Sequence, residues 1–144
     1  MRKYSTELLE HFRNPRNAGE MPDADISATV GNPHCGDVMT MFLKFDADRI
    51  ARASFQTYGC GPCVALSSMV TERLRGMSVR DARKLTIGEF TDKYPEIPKN
   101  KLHCTNLVIV ALKKAIALYR REKRAGRVSR GSETGQDAVQ VPVL

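Results

Sequence analysis

Two of the four cysteines in this chain of 144 residues lie within Tyr58-Gly59-Cys60-Gly61-Pro62-Cys63, a stretch that closes a strand-like run and opens a helix-like one. A thiol at a helix N-terminus faces unpaired backbone N–H groups and the positive end of the dipole. Both favour thiolate, the form that attacks disulfides and binds metals. Taken alone, Cys-Gly-Pro-Cys suggests a redox pair of the thioredoxin kind. Reactive side chains also occur in Cys35-Gly36-Asp37 and in His103-Cys104. Thiolates suit iron–sulfur clusters, zinc or copper(I), and imidazole suits zinc and iron. Gly36, Gly59 and Gly61 let the backbone approach a bulky inorganic group closely. Asp37 is the odd member, because a hard carboxylate is a weaker partner for cluster iron than a thiolate. A stable electron-transfer cluster ordinarily uses four cysteines. Cys35, Cys60 and Cys104 with Asp37 therefore suit a cluster that is meant to leave.

The elements that must position these groups follow from local pattern. Ser5 is a good N-cap for a helix running to about Arg13, with Leu8, Leu9 and Phe12 on its apolar side; Asn14-Pro15 stops it. Ile26, Ala28 and Val30 alternate with polar residues and predict a strand ending at Gly31-Asn32-Pro33. Met39, Met41, Leu43 and Phe45 predict a second strand, closed by the turn Asp46-Ala47-Asp48. Ile50 to Tyr58 predicts a third, with Ala51, Ala53 and Phe55 as its buried face. Short connections favour an antiparallel meander. Leu66, Met69, Val70 and Leu74 then follow helical spacing up to Gly76. Ser78 caps a short helix through Leu85, and another begins at Ile87. A long helix is expected from about Leu102 to about Arg124, with Val108, Ala111, Leu112, Ala115, Ile116 and Tyr119 inward and Gly126 at its end. The expected class is α+β: a three-stranded antiparallel sheet packed against several helices, in one domain over residues 1–126. Residues 127–144 read as a disordered, flexible tail. In this outline the first two reactive groups lie at one end of the sheet, and His103-Cys104 joins them if the long helix packs back with its N-terminus at that end.

Totals narrow the function. No apolar run has the length of a transmembrane helix, and Met1 to Phe12 lacks the apolar stretch of a secretory signal. Glu7 and Glu10 argue against a mitochondrial presequence, so a soluble, cytoplasmic protein with no membrane role is expected. In a reducing compartment four cysteines serve as metal ligands or reactive thiols. The net charge of +7 calls for a nucleic-acid hypothesis. The excess is concentrated at Lys113, Lys114, Arg120, Arg121, Lys123, Arg124, Arg127 and Arg130, where a helix C-terminus favours cations, and no aromatics are interleaved to stack on bases. No nucleic-acid partner is expected.

At this level of detail the chain resembles the iron–sulfur cluster assembly scaffolds of the IscU type, which are also the N-terminal domain of NifU. The resemblance rests on Tyr4-Ser5, Asn14-Pro15-Arg16-Asn17 and Gly31-Asn32-Pro33-His34-Cys35-Gly36-Asp37-Val38. It continues in Thr57-Tyr58-Gly59-Cys60-Gly61, Ser67-Ser68 with Val70-Thr71-Glu72, and Lys101-Leu102-His103-Cys104. It spans about residues 4 to 124, and these motifs occur in order. The resemblance implies a scaffold without independent enzymatic turnover. A cysteine desulfurase would deliver persulfide sulfur to Cys104, and ferrous iron would bind among Asp37, Cys60, His103 and Cys104. A ferredoxin-like electron donor would complete a labile [2Fe-2S] cluster, with Cys35 joining the ligands, for transfer to acceptor apo-proteins or carriers. Zinc could occupy the same pocket, since Cys, His and Asp all suit it. Monomer and homodimer stay equally open. Ile97-Pro98-Lys99-Asn100-Lys101 stands where the family often has Leu-Pro-Pro-Val-Lys, which weakens the expectation of a dedicated Hsp70 chaperone.

Plainer readings stand beside these. Asp37 could cap a turn, and His103 could tune its neighbour without ligation. His11, Glu10 and His34 are explained by surface and loop positions. Cys63 stands where the family usually has a small non-cysteine residue. It could be a fourth thiolate or a disulfide partner for Cys60, and packing toward the sheet is the slightly favoured reading. Two rival functions remain: a thiol–disulfide oxidoreductase built on Cys60 and Cys63, and a zinc-stabilised interaction module.

Overall fold

The computed structural model describes residues 4–32, 36–58, 60–126 and 139–141; for Asn32, His103, Cys104 and 139–141 it describes the backbone alone. Helix α1 (Thr6–Arg13) begins as its cap predicts, with the Ser5 hydroxyl accepting the Leu8 N–H at 3.2 Å. Strands β1 (Ile26–Asn32), β2 (Asp37–Asp46) and β3 (Arg49–Thr57) form the expected antiparallel meander. Helices α2 (Gly61–Leu74) and α6 (Leu107–Arg124) pack on it, with α3 (Val79–Ala82), α4 (Gly88–Thr91) and α5 (Leu102–Thr105) between them. The α+β reading holds. The sheet order is β3-β2-β1-β4, because Val139–Val141 (β4) adds a short parallel strand beside β1. That strand lies in the stretch expected to be a disordered tail; the rest of the tail lies outside the described residues.

The core lies between one face of the sheet and the helices. Ile26, Ala28 and Val30 of β1 and Met39, Met41 and Leu43 of β2 are buried there against Val108, Leu112, Ala115 and Ile116 of α6 and Leu66 and Val70 of α2. Phe45 stacks on Tyr119 with ring centroids 3.7 Å apart, and the Tyr119 hydroxyl donates to Asp48 in the β2–β3 turn at 2.8 Å. This pins the C-terminal half of α6 over the far end of the hairpin from the cysteines. Among the described residues no helix is long and apolar enough to cross a membrane.

Three expectations change. A bulge between Lys44 and Phe45 shifts the register, so Ile50 pairs with Phe45 and Ala53 with Leu43. The buried apolar set of β3 is therefore Ile50, Ala53 and Phe55, and Ala51 is only half-buried. The helix expected from Leu102 is broken at Asn106, where α5 ends and α6 begins: the Thr105 hydroxyl also bonds the Leu102 carbonyl, and the Ile109 N–H closes a tight turn on the Asn106 carbonyl. Finally, His11 is buried rather than at the surface. Its Nδ1 lies 2.7 Å from the Ser68 hydroxyl, while Phe12 is left half-exposed. The same Ser68 oxygen accepts the Arg16 N–H at 2.8 Å, which ties α1 and the loop after it to α2.

Candidate functional site

Strand register brings the first part of the site together. Met39 pairs with Thr57 at the end of β3, so Asp37 extends two residues beyond that pair, level with the connection into α2. Side chains alternate along a strand. Asp37 thus shares the face of Met39, Met41 and Leu43, the face on which the helices pack. Cys60 is the N-cap of α2, with extended backbone (φ −76°, ψ 171°). Pro62 falls in the first turn, where its fixed φ and missing N–H cost the helix nothing. One helical turn carries the chain from Cys60 to Cys63 and brings the two sulfurs to the same place.

The thiols of Cys60 and Cys63 and the carboxylate of Asp37 lie within 4.8 Å of one another. The two sulfurs are 3.1 Å apart and both are free thiols. This is van der Waals contact or closer, yet well beyond the ~2.05 Å of a disulfide bond. The Cys63 Sγ lies 3.8 Å from Asp37 Oδ2. Cys60 is half-buried, and Cys63 is only 3% exposed. The Phe12 ring of α1 seats against Gly61, next in sequence to Cys60: a Cβ there would come within 3.3 Å of the ring.

Electrostatics divides the two thiols. The hydrogen bond donated by Cys63 lowers the Cys60 pKa to about 6, helped by the backbone amide of Cys63 and the charge of Lys101, against burial and Asp37. The same hydrogen bond pushes the Cys63 thiol far above its ordinary range, reinforced by burial and by the negative charge of Cys60 and Asp37. At neutral pH the pair is one thiolate and one thiol, whose hydrogen faces two anions.

Asp37 and Cys60 are thus brought together as expected. Lys101 ends the 3-10 turn Lys99–Lys101 that leads into α5, and α5 packs on α2. His103 and Cys104 belong to α5 by their backbone, while their side chains lie outside the described residues. Cys35 and His34 lie outside them altogether. Cys63 was favoured as a thiol merely packed toward the sheet. It is buried, but it also touches the two other groups, because the i, i+3 spacing sets it beside Cys60 and the β2–β3 register sets Asp37 beside both. The CxxC spacing was the sequence signal for the first contact; nothing local signalled the second.

A thiolate, a thiol and a carboxylate converging in this way match the donor preferences of zinc and of iron in sulfur-rich sites. The thioredoxin reading fails on topology, since an antiparallel meander precedes Cys60 where that fold requires a βαβ unit. An α+β domain carrying a candidate metal site of two thiols and a carboxylate is the class that this fold and donor set define.

The chain belongs to the family described as NifU-like N terminal domain, which matches residues 3–126. It is 42% identical over 132 residues to "Iron-sulfur cluster assembly scaffold protein IscU 1" of Archaeoglobus fulgidus, covering 92% of this chain and 85% of that protein. It is 39% identical over 126 residues to the IscU scaffold protein of Escherichia coli K12, covering 85% and 98%. The fold is shared with the N-terminal NifU-like protein of Brucella abortus, at a TM-score of 0.68 and 20% identity over 82% of this chain and 94% of that one.

Proposed function

We propose that the protein is a scaffold on which a labile [2Fe-2S] cluster is built from persulfide sulfur and ferrous iron and then passed to acceptor proteins. The observation that carries this reading is the convergence of Asp37 with Cys60 at one end of the sheet, in a chain whose relatives are named as cluster assembly scaffolds. In this reading a cysteine desulfurase supplies sulfur to Cys104, and a ferredoxin-like protein supplies electrons. Ferrous iron enters among Asp37, Cys60, His103 and Cys104, and Cys35 completes the ligand set. Zinc fills the same donors in the cluster-free protein. The depressed pKa of Cys60 keeps a thiolate ready for metal at neutral pH. Asp37 contributes a weaker oxygen ligand, which favours release over retention. A reducing cytoplasmic setting suits a site whose two described cysteines are free thiols.

Anaerobic reconstitution with a cysteine desulfurase, cysteine and ferrous iron tests the reading. Visible absorption and Mössbauer spectra of a [2Fe-2S] cluster are expected, with strongly reduced loading in Cys35→Ser, Cys60→Ser and Cys104→Ser. Absence of the chromophore in the wild-type protein, or full loading in all three variants, would refute it.

A further inference from the structure

Cys63 is not needed for the ligand set proposed above, yet its sulfur lies 3.1 Å from that of Cys60, and it is buried where Cys60 is half-exposed. An accessible first thiol backed by a shielded second one is the arrangement of a dithiol reductant. The geometry points to a second activity: Cys60 and Cys63 together reduce incoming persulfide sulfur to sulfide, with both electrons supplied by the chain itself, as a route parallel to the ferredoxin-like donor proposed above. This deepens the scaffold reading and rests on it, because sulfur arrives at the zero-valent level and a cluster needs sulfide.

The reaction has two displacements. The Cys60 thiolate attacks the terminal sulfur of a persulfide R–S–S–H. A bond forms from Cys60 Sγ to that sulfur, the R–S bond to it breaks, and R–S⁻ leaves, so that Cys60 carries –S–S–H. The Cys63 sulfur then attacks Cys60 Sγ, the atom it already touches. The Cys60–Cys63 bond forms, the terminal sulfur departs as HS⁻, and the Cys63 proton is taken up by the Asp37 carboxylate 3.8 Å away. Two thiols have lost two electrons in becoming a disulfide, and one sulfane sulfur has gained them. Closing the pair requires the sulfurs to approach by roughly 1 Å, to the ~2.05 Å of a disulfide. An external dithiol reductant then reopens the bond. The same closure removes Cys60 from the ligand set while the pair is oxidised.

The test uses the full chain, reduced, iron-free and anaerobic, mixed with an equimolar amount of glutathione persulfide. Sulfide release is measured, and cysteine-containing peptides are mapped by mass spectrometry. Release of sulfide matching the persulfide consumed is expected, together with a Cys60–Cys63 cross-linked peptide. Cys63→Ser and Cys63→Ala should each cut sulfide release at least about tenfold and leave a Cys60 peptide one sulfur heavier. Wild-type release in both variants would overturn the proposal. So would a persistent Cys60 persulfide in the wild-type protein without the cross-link, a measurement that does not depend on how either variant folds. After an added dithiol has reopened the Cys60–Cys63 bond and been removed, ferrous iron with inorganic sulfide reads the scaffold function separately. Sulfide release without cluster formation would support the dithiol and count against the scaffold, and the opposite result would do the reverse.

Discussion

The ionisation of Cys60 makes a quantitative prediction for the iron-free protein. Its pKa is lowered from 9.0 to about 6, chiefly by the hydrogen bond from Cys63. A thiol with a pKa near 6 is about 90% thiolate at pH 7, against ~1% for one at 9, a gain of roughly 90-fold. Nucleophilicity falls with basicity at a Brønsted slope of about 0.45, which returns roughly 20-fold of that gain. Alkylation of Cys60 by iodoacetamide should therefore be only ~4-fold faster than that of an ordinary thiol at pH 7. At pH 5 the advantage should grow to ~40-fold, and at pH 9 Cys60 should be ~10-fold slower, approaching ~20-fold at higher pH. The sign is set by the direction of the shift: a lowered pKa puts the rise in rate near pH 6 and a plateau above it. Peptide-resolved alkylation rates from pH 4.5 to pH 9.5 would measure the profile. Cys63→Ala removes the largest stabilising contact of the thiolate and should move the midpoint upward, toward that of an ordinary cysteine. A wild-type midpoint above pH 8, or one that Cys63→Ala leaves in place, would refute the assignment of donor and acceptor within the pair.

Asp37→Ala should lengthen the lifetime of a reconstituted cluster, followed as decay of visible absorption in the presence of a chelator; a shorter lifetime would refute the labile-ligand argument. Ser68→Ala should destabilise the protein by about 1–3 kcal/mol, read from urea unfolding, because it strips partners from the buried His11 ring and from the Arg16 N–H. An unchanged urea midpoint would mean that water replaces the hydroxyl without loss. Ile116→Ala, at a position only 1% exposed between α6 and the sheet, should cost about 2–5 kcal/mol by the same assay. A cost under about 1 kcal/mol would show that the core collapses onto the missing side chain.

Where an interaction spans only a few residues, sequence pattern read the fold well. The Ser5 cap, the alternation through β2 and the glycine stop at Gly76, whose φ is +82°, are decided by neighbouring residues, and each stands where the pattern puts it. The misreadings have distant causes. Ala51 lost its buried place to a bulge that depends on β2 and β3 pairing together. Alternation within β3 alone contains no trace of that bulge. His11 looked like a surface residue on an amphipathic helix, and only the docking of α1 on α2 supplies the Ser68 hydroxyl that makes its burial tolerable. The break at Asn106 arises where α5 leans on α2 while α6 packs on the sheet.

The candidate site divides in the same way. By itself the sequence determined which side chains are reactive, the helix start after Cys60, and the one-turn spacing of Cys60 and Cys63, though it favoured packing of Cys63 toward the sheet over contact with Cys60. All of these are properties of single short segments. Only the tertiary structure decided that Asp37 belongs with both thiols, and that one of the two is buried and holds its proton while the other is half-exposed and gives it up. Those facts depend on the register of β2 against β3 and on the packing of α2 over the sheet. They join residues 26 positions apart, and no local pattern encodes a contact at that distance.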